Sequence, residues 1–194
     1  MKKNFAKKVT LSILVGAMLL SSSIAWAAIT EGEATGTNAV AIGGASKATK
    51  DNSTAVGTGA QAIGSETNAI GRLAKATSTG ANAIGQRAEA TSTGAIAVGS
   101  STIASGGSAV AIGDTAKATG FGATSVGAGA DATGNYANAY GYDALASGSN
   151  SNAYGKSATA SGSYAVALGT WAEATQDSAT AVGGCATASG ASST

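Results

Sequence analysis

A glycine recurs every fourteen residues along most of this chain, and this spacing constrains the fold more than any other feature. The period continues through eleven copies without an insertion or a deletion. The glycines are Gly43, Gly57, Gly71, Gly85, Gly99, Gly113, Gly127, Gly141, Gly155, Gly169 and Gly183. An alanine stands nine residues before each of them. A fixed period of this length is typical of a solenoid, in which each repeat contacts only its neighbours.

The composition argues against a compact core of large side chains. The 194 residues include 29 glycines, no proline and no histidine, and most of the apolar content is alanine. Stacking of a narrow repeat is the remaining way for such a chain to bury surface. The net charge of +1 gives no indication of a nucleic-acid partner. The single Cys185 excludes an internal disulfide framework, and its role is left open.

Residues 1–27 have the pattern of a secretory signal peptide. A lysine-rich start precedes an apolar run over residues 9–24, and Ala-Trp-Ala at residues 25–27 matches a cleavage pattern. The apolar run is short and is interrupted by Gly16, which argues against a membrane-spanning helix. We therefore predict cleavage at the end of this segment and export of residues 28–194.

Residues 113–126, with the sequence GDTAKATGFGATSV, represent one rung of the predicted solenoid. Small and larger residues alternate over residues 116–119 and 123–126, which predicts two short strands with glycines at their ends. Connections this short exclude helices. The sequence therefore predicts an all-β parallel β-roll with two short strands in each rung, stacked about 4.8 Å apart. The alternation directs alanine, serine and threonine inward, so we expect a narrow interior.

The same alternation directs one large apolar side chain of each rung outward, along one face of the roll, and Val40 and Val110 add apolar side chains from the neighbouring column. This predicted surface, the apolar stripe, consists of Val40, Ile42, Val56, Ile70, Ile84, Val98, Val110, Ile112, Val126, Tyr140, Tyr154, Leu168 and Val182. A stripe about 50 Å long is not tolerated in water unless something covers it. Because nothing else in the chain is long enough, we expect its partner to be another copy of the chain.

The rungs resemble the N-S-V-A-I-G repeat of the YadA-like heads of trimeric autotransporter adhesins. Residues 38–43, with the sequence NAVAIG, and residues 108–113, with the sequence SAVAIG, carry the resemblance most clearly, and it extends over residues 34–190. The resemblance implies a left-handed β-roll that assembles as a homotrimer along the apolar stripe. It also implies a binding module on a bacterial surface that attaches to host extracellular matrix or to other cells.

Adhesins of this family continue into a coiled-coil stalk and a membrane-inserted barrel. Neither pattern follows the repeats before residue 194, where the chain stops half way through a rung. We therefore expect no membrane insertion by residues 28–194 themselves. Attachment to the outer membrane is expected if they are part of a longer anchored chain, and secretion is expected otherwise.

The sequence contains no arrangement of side chains that suggests catalysis. Without histidine, serine–histidine–aspartate and cysteine–histidine systems are excluded. The acidic residues Asp114, Asp131 and Asp143 occupy three different columns, so repeated metal sites are not expected. We therefore expect no enzyme activity, no cofactor and no metal.

The aromatic residues of the predicted mature chain all lie within residues 121–171. Four of them, Tyr136, Tyr142, Tyr164 and Trp171, fall at turns or strand starts. They could form a ligand patch, because exposed aromatic side chains are favoured contact residues. They could instead simply cover glycine-rich turns.

Two columns of polar residues suggest further contacts or functions. Asn68 with Asn82, and Asn138 with Asn152, are expected to form amide ladders beside the apolar stripe. A threonine column suggests an alternative function, a secreted ice- or surface-binding β-roll. Its members are Thr35, Thr49, Thr77, Thr91, Thr119, Thr133 and Thr175. The column next to it is charged and irregular, which argues against the flat surface that such a function requires.

Overall fold

The structure is a computed structural model that describes residues 32–194. Within this range the chain winds into a parallel β-solenoid, and each rung of fourteen residues contributes one two-residue strand and one three-residue strand. This confirms the predicted all-β roll. The predicted signal peptide, residues 1–27, lies outside the described residues.

The strands are numbered β1 to β23 in chain order across residues 32–194. The odd-numbered strands are β1 Glu33–Ala34, β3 Lys47–Ala48, β5 Gln61–Ala62, β7 Lys75–Ala76, β9 Glu89–Ala90, β11 Ile103–Ala104, β13 Lys117–Ala118, β15 Asp131–Ala132, β17 Leu145–Ala146, β19 Thr159–Ala160, β21 Glu173–Ala174 and β23 Thr187–Ala188. The even-numbered strands are β2 Val40–Ile42, β4 Thr54–Val56, β6 Asn68–Ile70, β8 Asn82–Ile84, β10 Ile96–Val98, β12 Val110–Ile112, β14 Thr124–Val126, β16 Asn138–Tyr140, β18 Asn152–Tyr154, β20 Val166–Leu168 and β22 Thr180–Val182. Both sets are shorter than the four-residue alternations that predicted them, because the flanking residues already belong to turns.

The strands form two parallel sheets, one of odd-numbered and one of even-numbered strands. Neighbouring strands in each sheet pair with a register shift of fourteen residues, so that Ile112 pairs with Val126 and Lys117 pairs with Asp131. Every column of the sequence is therefore a column in space, with a rise of about 4.8 Å per rung.

Four small side chains of each rung fill the space between the two sheets. Ala116, Ala118, Ala123 and Ser125 have no exposed surface. The buried hydroxyl of Ser125 donates a hydrogen bond to the carbonyl oxygen of Ala130 at 2.8 Å. Threonine is the largest side chain that is fully buried within residues 32–194. The predicted narrow interior is thereby confirmed.

Two turns complete each rung and lie along opposite edges of the solenoid. The first edge contains the turns that follow the even-numbered strands, such as residues 127–129, and the second edge contains the others, such as residues 134–136. Each turn holds a residue in the left-handed conformation, for example Thr115 with φ 57° on the first edge. Its N–H donates to the carbonyl oxygen of Ser100 on the preceding rung at 2.8 Å. These hydrogen bonds between rungs hold the turns in register.

Candidate functional site

The apolar stripe lies on the outer face of the sheet of even-numbered strands. Ile42, Ile84 and Ile112 each leave 41% of their surface exposed. The column is continuous because the strands pair in register, as Ile70 does with Ile84. No other part of residues 32–194 covers this surface, so a face of large apolar side chains is partly or fully exposed along the described solenoid.

Two tyrosines interrupt the aliphatic part of the stripe. The rings of Tyr140 and Tyr154 stack with their centroids 5.0 Å apart and their planes 6° from parallel. Beside them, Nδ2 of Asn138 donates to Oδ1 of Asn152 at 3.0 Å. The other predicted amide pair, on β6 and β8, makes the same contact at 2.7 Å. The predicted amide ladders are therefore present, and each belongs to the face that carries the stripe.

The four residues of the predicted ligand patch all lie in turns, but the structure divides them between the two edges. Tyr142 and Trp171 lie on the first edge, whereas Tyr136 and Tyr164 lie on the second. Each of the four exposes between 54% and 64% of its surface. The structure therefore places two of them on each edge and does not bring the four together in a single patch.

Lys156 lies between the two aromatic rings of the first edge. Its Nζ is 5.9 Å from the ring centroid of Tyr142 and 5.6 Å from that of Trp171. Both distances allow attraction between the ammonium group and the face of the ring. Sequence reasoning missed Lys156. Alignment of the rungs by the fourteen-residue period could have found it, because this alignment places Tyr142, Lys156 and Trp171 in the first-edge turns of three consecutive rungs.

A different aromatic contact orders the second edge. Phe121 and Tyr136 meet edge to face, with ring centroids 5.5 Å apart. The backbone N–H of Phe121 donates to Oδ1 of Asn135 on the next rung at 3.0 Å. Tyr164 lies two rungs beyond Tyr136 in the same column. On the second edge, Phe121 and Tyr136 thus pack against each other, and no lysine lies between their rings.

The titratable and reactive side chains of residues 32–194 are dispersed. Lys75 and Glu89 form a partly buried ion pair at 3.0 Å on the sheet of odd-numbered strands. Burial raises the pKa of the Asp131 carboxyl above its ordinary value, and the nearby charge of Lys117 partly opposes this effect. Cys185 is a free, exposed thiol. No group of three acidic, histidine or cysteine side chains within residues 32–194 could hold a metal ion.

The threonine column does not form a regular array of hydroxyl groups. Serine replaces threonine at Ser105, Ser147 and Ser161 and keeps a hydroxyl group there, but Ile63 occupies the same column and interrupts it. Ile63 exposes a large apolar side chain among the hydroxyls. The column therefore offers no surface of uniform composition along the solenoid axis.

A comparison with protein families matches these rungs to the YadA head domain repeat. The matched segments are residues 34–60, 76–102, 90–116, 104–130, 139–165 and 160–184. Together they span more than half of the chain. The chain belongs to the YadA head domain family. A comparison with curated proteins finds no match.

The YadA head domain is a structural module of adhesins and not an enzyme. Membership therefore identifies this chain as a head region of the trimeric autotransporter type. Adhesins with YadA heads are exposed on the outer membrane. Within residues 32–194 of this YadA head, no helix has the length and apolar character needed to cross a membrane.

Proposed function

We propose that this YadA head assembles as a homotrimer along the apolar stripe and attaches a bacterial cell to host extracellular matrix or to other cells. The observation that carries the proposal is the exposure of the stripe, where isoleucines such as Ile84 leave 41% of their surface in water. Burying that remainder contributes about 1–2 kcal/mol for each side chain. Repeated on every rung, this contribution offsets the cost of association.

Homotrimer formation leaves other surfaces of each copy to bind a ligand. Both edges and the sheet of odd-numbered strands carry polar, charged and aromatic side chains outside the stripe. Three identical copies present each weak binding surface three times, which increases the overall strength of attachment to a surface with many ligands. Attachment of this kind suits a head that meets host matrix or a neighbouring cell.

Export and display complete the proposed function. The signal peptide of residues 1–27 directs the chain out of the cytoplasm, and cleavage leaves residues 28–194 as the head. As part of a longer anchored chain the head is displayed on the bacterial surface, and without an anchor it is secreted. We propose in addition that the solenoid is left-handed, as the family resemblance implies.

Sedimentation of residues 28–194 at micromolar concentration tests the assembly. The expected species is a trimer. Ile84→Lys places a charge in the middle of the stripe, between Ile70 and Val98 on the adjacent rungs. Because burying an unpaired ammonium group is costly, this variant should dissociate into folded monomers.

Ile103→Lys is the matched control for Ile84→Lys. Ile103 also projects outward near the middle of the solenoid, but from the sheet of odd-numbered strands, between Glu89 and Lys117. This variant should remain a trimer. A wild-type chain that is folded by circular dichroism and yet sediments as a monomer overturns the proposed assembly. Dissociation by Ile103→Lys alone would place the contact on the opposite sheet.

Attachment is measured separately, as retention of the labelled wild-type head on cultured cell layers and on surfaces coated with extracellular matrix. The expected result is saturable retention that Ile84→Lys reduces and Ile103→Lys does not, because only the trimer presents several copies at once. Failure of the wild-type trimer to bind any such surface contradicts the adhesive function.

A further inference from the structure

We propose that Tyr142, Lys156 and Trp171 form a binding site for a linear acidic oligosaccharide in which neutral and carboxylated pyranose units alternate. The site specifies a ligand class for the adhesive function proposed above and rests on it. It occupies the first edge of the solenoid, outside the apolar stripe that the trimer would cover.

The three side chains alternate in chemical character along the solenoid axis. They come from three consecutive rungs, so the sequence ring, cation, ring extends over about 10 Å. The Lys156 Nζ lies 5.9 Å from the Tyr142 ring centroid and 5.6 Å from the Trp171 ring centroid. Both rings are more than half exposed. A ligand can therefore approach the edge of the solenoid and meet all three groups.

This alternation matches the chemistry of a sugar chain with alternating charge. The C–H face of a neutral pyranose is apolar and packs on an aromatic ring, and the Tyr hydroxyl and the Trp indole N–H can hydrogen-bond to sugar hydroxyls. A carboxylate accepts charge-assisted hydrogen bonds from an ammonium group. The rise of one rung is similar to the length of one pyranose unit. A chain that runs along the edge would thus place neutral units on Tyr142 and Trp171 and a carboxylated unit at Lys156.

The charge of Lys156 is available to such a ligand. The ion pairs within residues 32–194 join other residues, and Lys156 is exposed and has no carboxylate within 4.0 Å in this part of the chain. Asp143 is the acidic residue nearest to the site along the chain, beside Tyr142. Its carboxylate extends over Gly129 on the preceding rung, in the direction away from Lys156. The acidic group of a ligand would therefore meet a cation that forms no ion pair with a carboxylate of residues 32–194.

Trp171 provides a direct measurement of binding. The chain has two tryptophans, and Trp26 belongs to the predicted signal peptide, so residues 28–194 contain Trp171 alone. The probe is a short hyaluronan oligosaccharide, in which glucuronate alternates with a neutral amino sugar. Titration of the trimeric head with this probe should change the Trp171 fluorescence in a saturable manner. Calorimetry should give the same dissociation constant.

Two variants test the roles of the cation and of the ring. Lys156→Gln removes the charge at nearly constant length and should weaken binding about tenfold or more, with loss of its salt dependence. Trp171→Gly should abolish the binding that calorimetry detects. Trp171 has φ 57°, and Gly59 and Gly129 hold the equivalent position on other rungs, so glycine suits this turn and the variant should fold.

The matched controls alter the same residue types elsewhere. Lys117→Gln removes an exposed lysine from the sheet of odd-numbered strands, and Tyr164→Ala removes an exposed ring from the second edge. Both should bind the probe as the wild type does. A neutral chito-oligosaccharide of the same length should bind at least about tenfold more weakly than hyaluronan, because it lacks the carboxylate that Lys156 would bind.

Three results overturn the proposed site: no binding of hyaluronan, equal loss of binding in Lys156→Gln and Lys117→Gln, or equally tight binding of polyglutamate. The last result would mean that charge alone is recognised and that the ligand class is an acidic peptide. If the head sediments as a trimer and binds matrix or cells but not the probe, the oligosaccharide site is wrong and the adhesive function stands. A folded monomer that fails to attach to any surface contradicts the adhesive function itself.

Discussion

Gly113 faces the carbonyl group of Gly127 on the next rung so closely that a β-carbon on Gly113 would collide with it. Gly113 also has φ +136°, a conformation that residues with a side chain rarely adopt. Gly183 is the last glycine of the fourteen-residue period and has φ +123°. A β-carbon on Gly183 would not collide, because the nearest atom would be Cβ of Ala186 at 3.9 Å. Backbone conformation and contact between rungs are therefore two separate causes of the glycine period.

Replacing period glycines by alanine should separate these two causes. Gly113→Ala would suffer both the unfavourable backbone conformation and the collision with the next rung. It should therefore reduce the free energy of unfolding by about 3 kcal/mol or more. Gly183→Ala meets only the conformational cost, about 1–2 kcal/mol. At Gly94, φ is +66° and a β-carbon would make only ordinary van der Waals contact with Ser108 of the next rung, so Gly94→Ala should give the smallest loss, about 1 kcal/mol. Urea unfolding followed by circular dichroism measures all three. Equal losses for Gly113→Ala and Gly183→Ala would show that the next rung does not limit this position.

The interior should reject even one larger side chain. Ala111 is fully buried between the two sheets, so Ala111→Val adds volume where the packing leaves no room. We expect a loss of about 1–3 kcal/mol, measured as a lower melting temperature in calorimetry. Thr124→Val is the control, because it adds a valine to an outward column that already contains Val110 and Val166. An unchanged melting temperature for Ala111→Val would mean that the sheets can separate to accept it.

Asp131 should make the stability depend on pH. Burial raises the pKa of its carboxyl above the ordinary value, so the folded state holds the ionised form less well than the unfolded state. The contribution of Asp131 to the free energy of unfolding is therefore most favourable below the ordinary pKa of an aspartate. This contribution is lost as the pH rises through the raised pKa of the folded state. Asp131→Asn stays neutral, so at pH 7 it should be more stable than the wild type, and the difference should shrink towards pH 3.

Urea midpoints of the wild type and of Asp131→Asn across this pH range measure the effect. Glu173→Gln is the control, because Glu173 belongs to the same column and is exposed. A difference between Asp131→Asn and the wild type that is independent of pH contradicts the proposed role of burial. The carboxylate oxygen Oδ1 of Asp131 is buried without a hydrogen-bond partner, which supports the expected direction.

Association along the stripe should make thermal stability depend on protein concentration. A ligand or partner that binds only the folded state raises the melting temperature by mass action. The wild-type melting temperature should therefore rise with concentration, whereas that of Ile84→Lys should be lower and constant. Ile103→Lys should retain the concentration dependence. A constant melting temperature for the wild type over a hundredfold range would indicate that the folded chain is stable alone.

Most of the fold could be predicted because one period organises the whole chain. The fourteen-residue register assigns each residue to a column, and alternation within a rung assigns each column to the inside or the outside. Ala111 and Ile112 illustrate this, since the first is buried and the second exposed as predicted. Predictions that depended only on columns, such as the amide contact of Asn68 with Asn82, are confirmed.

The turns were harder to predict because alternation says nothing about residues outside strands. Trp171 and Leu73 have positive φ, although neither residue type indicates the left-handed conformation. The hydrogen bonds to the preceding rung hold them there, and these depend on three-dimensional structure. The prediction that Tyr136 and Tyr142 lie in turns also did not say that these turns are on opposite edges of the solenoid. The position of Lys156 between two rings follows only once the two turns are distinguished.

The pairing of each strand with its equivalent fourteen residues away makes the length of the head adjustable in whole steps. Deletion of residues 99–112 would join Val98 to Gly113 and bring chemically equivalent positions together. Recombination between copies of the repeat could thus change the reach of the head by about 4.8 Å at a time. The number of copies, rather than any single residue, would then set how far the binding edge stands from its point of attachment.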